Sequence, residues 1–453
     1  MIRPKYFIIL IDFLLACLCL ACAHVIRFRG TDGLGLLLDG GLFRVLCYLF
    51  AVLLCAYFFE LYQTHKFVSR QFILFRSAAA SLTAFLLLSA LFYLFPSLQF
   101  GRGLLFLTFF IFTGLQICSR FAIRRFSRAS QFATRILIVG TGELAQKIAD
   151  IIPEDRNIHS YVRFVGCCKG AIAVNADSIV GEIAQLGDLL HDYRPQKLIL
   201  ALSERRGALP LKEIMHSKMR GVEVFDATSF YEQEMGCLMV ENMQPSEFIY
   251  TQRFRMTPFM RAYKRVFDVV LSCAGLAVTL PLLPLLALII KLDSSGPVFY
   301  KQLRVGEREI EYFVYKFRTM THDAENETGA VWAQTNDPRV TRVGQFMRKT
   351  RLDEIPQLFN VLKGDMSFIG PRPERMAFVE RLEKAIPYYS TRHFVKPGVT
   401  GWAQVRYPYG ASDEDALEKL RYDLFYIKNY SIFLDFRIIL DTVKVVTSGF
   451  GGR

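Results

Sequence analysis

TRVGQFMRKTRLDEIPQLFNVLKGDMSFIGPRPE, Thr341 to Glu374, sets two adjacent carboxylates, Asp353 and Glu354, among eight cations: Arg339, Arg342, Arg348, Lys349, Arg351, Lys363, Arg372 and Arg375. Pro356 limits where a helix carrying that pair can begin. Proline lacks an N–H and its ring clashes with the preceding turn, so it fits only the first turn of a helix. A helix through Gln357 to Leu362 is therefore expected to start near Leu352 to Asp353, and Gly364 to end it. Both carboxylates then stand at a helix N-terminus, where free N–H groups and the dipole favour anions. The plainer alternative makes Asp353 an N-cap and the arginines a solvated face.

The whole chain narrows the choice. Its 453 residues suffice for two or three domains, and 52% of them are hydrophobic, unevenly placed. A formal charge of +13 admits nucleic acid, an anionic membrane or phosphorylated substrates as partners. No lysine-rich tail or nucleic-acid module is present and several cations flank apolar runs, so nucleic acid is not expected. Of the ten cysteines, Cys17, Cys19, Cys22, Cys47, Cys55 and Cys118 lie inside apolar runs, and the others have no paired ligand spacing. Neither zinc nor a disulfide framework is expected. A cleavable signal peptide is not expected either, because the first apolar run is too long for one.

Four such runs open the chain, roughly Tyr6–Ile26, Leu42–Leu61, Phe72–Phe95 and Leu104–Ile123. Each has about the twenty residues needed to span a bilayer. Arg3 and Lys5 precede the first run, Lys66, Arg70 and Arg76 separate the second and third, and Arg120, Arg124, Arg125 and Arg128 follow the fourth. The positive-inside rule then puts both ends of this bundle in the cytoplasm.

From Thr134 the pattern becomes α/β. RILIVGTGELAQKIADII reads as a buried strand, a glycine turn and a helix, with Gly140, Gly142 and Ala145 in G-x-G-x-x-A spacing. Strands follow at Val162–Cys167, Lys197–Ala201 and Val222–Phe225, giving a Rossmann-like domain that ends near Tyr250. Gly140, Gly142 and Ala145 are nucleotide-binding candidates. The acid that would hold a ribose after the second strand is replaced by Cys167, Cys168 and Lys169, while Lys169, Arg205 and Arg206 could hold a phosphate.

A second hydrophobic element, Val266 to Ile290, contains Pro281 and Pro284. It is long enough to cross, but a crossing would put the basic motifs after it outside the cell. The prolines favour a broken, re-entrant helix over 264–291 that enters and leaves on the cytoplasmic side, with Lys264, Arg265 and Lys291 as interfacial anchors. Beyond it, Glu311–Phe317 alternates like a strand, His322–Asn336 reads as a polar loop, and KPGVTGWAQV (Lys396–Val405) as a turn and a short strand. A last helix, roughly Ser431 to Val446, has one broad apolar face suited to a core or to a membrane surface.

DSSGPVFYKQLRVG (Asp293–Gly306), YKFRTM (Tyr315–Met320), NDPRVTRVGQFMRKTRLDEIPQLFNVLKGDMSFIGPRPE (Asn336–Glu374) and KPGVTGWAQV resemble the bacterial sugar transferase family, the polyprenyl-phosphate phosphoglycosyl transferases with a single re-entrant helix. With four membrane helices and a Rossmann-like domain in front, the chain is similar to long-form members of exopolysaccharide systems. ERRGALP (Glu204–Pro210) and YPYGASDEDALEKL (Tyr407–Leu420) are similar to the branch associated with the PEP-CTERM/exosortase system.

The resemblance implies a membrane α-helical bundle at 1–128, a Rossmann-like cytoplasmic domain at 134–250, and a small α/β catalytic domain at 259–453 built on the re-entrant helix. It implies transfer of a sugar 1-phosphate from a UDP-sugar to undecaprenyl phosphate, releasing UMP, at the cytoplasmic face of a bacterial inner membrane. Asp353 would be the nucleophile that forms a phosphosugar-aspartyl intermediate, and Glu354 would assist and, with Asp353, hold Mg²⁺. The candidate phosphate ligands are Arg304, Lys316, Arg318, Arg339, Arg351 and Arg372, since a guanidinium fork can bind two phosphate oxygens. The chain departs from the family's Ser-Pro at the helix break: it has Leu280-Pro281, with Thr279 one residue earlier as the hydroxyl that could bond a freed carbonyl. The Rossmann-like domain has no obvious catalytic task, which makes a homodimer a candidate arrangement.

Two rivals remain at this level. A membrane-anchored nucleotide-sugar dehydratase would need Tyr-x-x-x-Lys on a helix; Tyr312 and Lys316 have that spacing in a segment that alternates like a strand. A membrane scaffold that recruits other polysaccharide enzymes would leave the ordered Asp353–Glu354, Arg372 and Lys396–Val405 blocks unexplained.

Overall fold

A computed structural model describes residues 4–28, 41–62, 70–96, 101–127, 135–152, 161–166, 172–202, 209–243, 256–321 and 337–448, apart from positions 409 and 411, together with residues 99, 245, 248 and 254. Cys167, Cys168, Lys169, Arg205, Arg206, Arg128, Lys66 and the segment His322–Asn336 lie outside these residues. The chain divides into two compact units, Met1–Phe225 and Asp226–Arg453.

The first unit opens with four helices, α1 (Pro4–Phe28), α2 (Gly41–Phe58), α3 (Arg70–Leu94) and α4 (Arg102–Ser127). All four are long and apolar enough to cross a membrane. Helix α1 packs on α4 and α2 on α3, around Leu20, Tyr48, Val52, Leu88 and Phe112. Arg120 corrects the simple reading of charge. It is buried in the bundle and donates to Asp12 at 2.5 Å, with Gln116 donating to the same oxygen at 3.2 Å. It is thus a paired charge inside the bundle, as intramembrane charges usually are, rather than part of the basic flank.

Next come β1 (Arg135–Val139), α5 (Glu143–Asp150), β2 (Tyr161–Gly166), β3 (Ile179–Glu182), α6 (Leu186–Tyr193), β4 (Lys197–Leu200), α7 (Leu211–Met219) and β5 (Glu223–Asp226). The sheet order β3-β2-β1-β4-β5, with β1 parallel to both neighbours, is the doubly wound arrangement the glycine turn pointed to. Gly140 has φ 128°, and a Cβ there would stand 2.4 Å from the Ala201 carbonyl oxygen, so only glycine fits. Gly142 caps α5, and Ala145 is fully buried.

The second unit begins with α8 (Ala227–Met235) and the broken hydrophobic element. Helix α9 (Pro258–Thr279) starts at Thr257, whose hydroxyl accepts from the Met260 N–H, with Pro258 in the first turn. Helix α10 (Leu282–Asp293) follows at 62° to it. The break falls at Leu280–Pro281, as the prolines require. Thr279 does not serve the carbonyl of Ala277, which Pro281 leaves without its N–H; its hydroxyl bonds back to Gly275 O at 2.8 Å, a pattern that bends helices. Nor do Lys264 and Arg265 anchor at an interface. Lys264 is buried, donating to Tyr426 Oη at 2.9 Å and lying 3.5 Å from Asp435. Arg265 donates to the carbonyls of Val361 and Leu362 at 2.7 and 2.5 Å.

A hairpin of β6 (Phe299–Val305) and β7 (Glu311–Phe317) comes next, in the register Tyr300 opposite Lys316 and Arg304 opposite Tyr312. Helices α11 (Arg342–Thr350) and α12 (Gln357–Lys363) lead to β8 (Ser367–Ile369), which lies parallel to β9 (Gly398–Thr400), with α13 (Met376–Ala385) between them. Gly370 and Gly398 pack backbone on backbone: a Cβ on Gly398 would meet Gly370 N at 2.0 Å. The short strand expected after the turn within Lys396–Val405 runs from Gly398 to Thr400, and Trp402 to Arg406 form a short helix, α14. Helices α15 (Asp413–Lys428) and α16 (Ile432–Ser448) complete the core around Ile369, Leu382, Trp402, Leu420, Leu424 and Ile438. On α16, Phe433, Phe436, Val443 and Val446 are exposed while Asp435 and Ile438 are buried.

Candidate active site

Helix α11 ends at Arg351, which takes φ 59°, a left-handed conformation that bulky residues adopt at a cost. That reversal turns the chain into a single 3₁₀ turn, Leu352 to Glu354, before Ile355, Pro356 and α12. The α-helix thus begins at Gln357, later than Pro356 alone suggested. Leu352 O is taken by the Ile355 N–H at 3.3 Å, an i→i+3 bond, so the tighter turn spares the clash between the proline ring and the carbonyl four residues earlier. Gly364, at φ 99°, ends α12 as expected.

Both carboxylates are buried, each 7% exposed. They are treated differently. Glu354 Oε1 accepts from Arg372 Nη2 at 2.7 Å and Lys316 Nζ at 3.1 Å, and Arg351 Nη1 lies 3.8 Å away. Burial alone would raise its pKa, but Arg372, Lys316 and Arg351 outweigh burial and hold Glu354 well below the usual carboxylate range. Asp353 stands inside the 3₁₀ turn, the cap positions falling to Arg351 and Pro356, and its Oδ1 is buried without a hydrogen-bond partner among the described residues. The N-cap reading therefore fails. Burial, then the charge of Glu354, pushes the Asp353 pKa up against the pull of the same cations.

The supports of this turn are specific. Asn360, fully buried on α12, accepts from Tyr315 N at 3.0 Å and donates to Phe313 O at 2.7 Å, which fixes α12 to the strand that carries Lys316. Arg372 follows β8. The Gly370 N–H donates to Thr400 O and the Gly398 N–H to Pro371 O, while Arg372 O accepts from Arg392 Nη2 at 3.0 Å. Arg392 is itself buried, donating to Asp423 at 2.8 Å and Tyr389 Oη at 2.6 Å.

Of the six cations singled out in the sequence, Lys316, Arg351 and Arg372 converge on Glu354. Arg304 supports them from behind, donating to Pro373 O at 3.2 Å and lying 3.5 Å from Glu374. The other two are used elsewhere. Arg318 is buried and donates to Ser295 O, Ser294 O and Ser294 Oγ at 2.8, 2.7 and 3.0 Å, which fastens the turn after α10. Arg339 is drawn to Asp337, at 2.8 Å from Nε and 2.6 Å from Nη2. Sequence reasoning missed Arg392, Tyr389, Asp423 and Asn360; only the position of Arg392 just ahead of the KPG turn offered a signal.

Comparison with known proteins bears on this arrangement. The sequence model of the bacterial sugar transferase family matches residues 259–449, and that of a CoA-binding domain matches residues 57–211. The exopolysaccharide production protein PSS of Rhizobium leguminosarum bv. phaseoli is 44% identical over 185 residues, 40% of this chain and 92% of that protein. The chain belongs to the bacterial sugar transferase family. Other similar members are larger than the shared region. A UDP-N-acetylgalactosamine-undecaprenyl-phosphate N-acetylgalactosaminephosphotransferase of Aeromonas hydrophila is 46% identical over 197 residues, 44% of this chain and 46% of that one. An undecaprenyl-phosphate glucose phosphotransferase of Komagataeibacter xylinus is 34% identical over 321 residues, 69% of this chain and 59% of that one. The chain therefore spans about half the length of these two relatives, 46% and 59%. The Tyr312–Lys316 pair lies on β7, a strand, so the helix a dehydratase would need for it is not there.

Proposed function

We propose that this chain transfers a sugar 1-phosphate from a UDP-sugar to undecaprenyl phosphate, as the first step of an exopolysaccharide assembly. The observation that carries the reading is the unequal pair. Glu354 is held well below the usual carboxylate range by three cations, while Asp353 offers a buried, unpartnered oxygen whose pKa is pushed up. A raised pKa makes the ionised carboxylate the better nucleophile.

Asp353 attacks the β-phosphorus of the donor. The bond from that phosphorus to the bridging oxygen breaks, its electron pair leaves with UMP, and the sugar phosphate is bound to Asp353 as an acyl phosphate. An oxygen of the lipid phosphate then attacks the same phosphorus, the bond to Asp353 breaks, and the free carboxylate returns with the lipid diphosphosugar. Lys316, Arg351 and Arg372 stabilise the charge that develops on the phosphoryl oxygens, and Arg372 can do so through two N–H groups at once. Asp353 and Glu354 also fit Mg²⁺: they would hold it, and when bound it neutralises diphosphate charge.

The bend between α9 and α10 supports a re-entrant placement that leaves the second unit on the cytoplasmic side of the inner membrane, where nucleotide sugars are. Val266, Val270, Val278, Leu282, Leu285 and Leu288 are exposed along the two pieces and suit lipid contact. The names of the relatives suggest two donors to try first, UDP-N-acetylgalactosamine and UDP-glucose.

The test is UMP release from a panel of UDP-sugars with undecaprenyl phosphate and Mg²⁺, for wild type and Asp353→Ala. Release with one sugar, lost in the variant and with chelator, is expected. Full release by Asp353→Ala would remove Asp353 as nucleophile, and no release from any sugar by folded protein would overturn the transferase reading.

A further inference from the structure

Away from Asp353 and Glu354, three ligand-type side chains meet on one face of the second unit. Glu309 stands in the 3₁₀ turn at the tip of the β6–β7 hairpin, Glu383 on α13, and His393 in the 3₁₀ segment Tyr389–Phe394. One ligand atom from each lies within 4.8 Å of the other two. A pair of exposed carboxylates would mean little by itself. His393 changes this: it is 7% exposed, and its Nδ1 has no hydrogen-bond partner among the described residues. That nitrogen points to Glu309, at 3.8 Å from Oε1, too far for a hydrogen bond. With its proton on Nε2, the neutral ring presents Nδ1 as a lone pair to a cation. Among the described residues no lysine or arginine pairs with Glu309 or Glu383.

We propose that Glu309, Glu383 and His393 form a divalent-metal site of the Zn²⁺ type, built from other residues than the Asp353–Glu354 pair. One imidazole nitrogen and two carboxylate oxygens suit Zn²⁺ or Mn²⁺ better than Mg²⁺, which prefers oxygen alone. The two carboxylates balance the charge of the ion, and a fourth position stays open to water. Ligand atoms around tetrahedral zinc stand about 3.4 Å apart, so only the exposed glutamates need to move, by changes of side-chain rotamer. The buried histidine is already in place.

Such an ion would join the hairpin tip, α13 and the segment that carries Arg392. Arg392 holds the carbonyl of Arg372, so the site would brace the arginine at Glu354 without touching substrate.

The test uses the untagged full chain in detergent, stripped with EDTA and titrated calorimetrically with Zn²⁺. It compares wild type, Asp353→Asn and the double variant Glu309→Gln/Glu383→Gln. Both glutamates are exposed, so the double variant keeps its fold, checked by circular dichroism. We expect one tight Zn²⁺ per chain in wild type and in Asp353→Asn. In the double variant the affinity should fall by more than the roughly 10–100-fold that loss of an outer-shell partner costs. Zn²⁺ should also raise the Tm of the wild type and not of the double variant. Absence of tight Zn²⁺ binding in wild type overturns the proposal. So does equal affinity in the double variant, which would send the ion to cysteines or to the Asp353 site.

Discussion

Replacing Asp353 by asparagine exchanges one oxygen for an NH₂ group of nearly the same size, and its two effects should run in opposite directions. Transfer should fall to background, because an amide is a poor nucleophile. Stability should rise. The buried, unpartnered Oδ1 is a standing cost, since an unsatisfied buried polar group costs about 1–3 kcal/mol and more when charged. Asparagine removes the charge and its repulsion with Glu354, but also loses the attraction of Lys316, Arg351 and Arg372. Because the net effect on Asp353 is an upward pKa shift, the sum favours the neutral form, and a gain of about 1–2 kcal/mol is a fair allowance after those losses. For a unit of this size that is about 2–8 °C in Tm. The pH dependence fixes the cause. A pKa raised on folding contributes stability that is complete below the unfolded value and is lost as pH rises through the folded one. The wild type therefore bears the cost at neutral pH, and its Tm should approach that of Asp353→Asn as the medium is acidified through the Asp353 range. Scanning fluorimetry at fixed heating rate from pH 4 to 8, beside the UMP assay, reads both effects. A lower Tm for Asp353→Asn at neutral pH, or retained UMP release, would refute the reasoning.

Arg372→Ala should lower kcat by about 100–1,000-fold, the usual cost of losing one charge-stabilising donor, and Arg372→Lys should fall between it and wild type because a lysine keeps the charge but not the fork. Steady-state rates with a saturating donor check this, and an unchanged rate in Arg372→Ala would remove it from the site. Arg318→Ala should instead cost about 2–4 kcal/mol of stability through three lost charged hydrogen bonds, with near wild-type turnover per folded molecule. Activity lost at unchanged Tm would restore Arg318 as a phosphate ligand.

What could be read in the sequence was what is local. The strand Glu311–Phe317 followed from alternation alone, the glycine turn at Gly140 from its spacing, and the helix break from Pro281. The carboxylate pair was legible because cations crowd it along the chain. Which cations face it was not. Arg318 and Arg339 are as close in sequence to the pair as Lys316, yet Lys316 lies on the side of β7 that meets Glu354, while Arg318 turns to the carbonyls after α10. Arg392 and Asp423 are 31 positions apart and meet only because α15 packs on the segment before β9, so no pattern within either stretch announces them. The edge strand β3 is four residues long with a glycine inside, too short to carry a period.

The close contact of Gly370 with Gly398 has a consequence for inheritance. A Cβ on Gly401 would likewise meet Gly370 O at 2.1 Å, so two chain segments touch main chain to main chain at three glycines beside the arginine that faces Glu354. None of the three glycines offers a side chain to a phosphate. A genetic screen for lost transfer would nonetheless score them with Asp353 itself, and temperature-sensitive alleles of such a gene should gather at Gly370, Gly398 and Gly401, where a single methyl group is enough to force the strands apart.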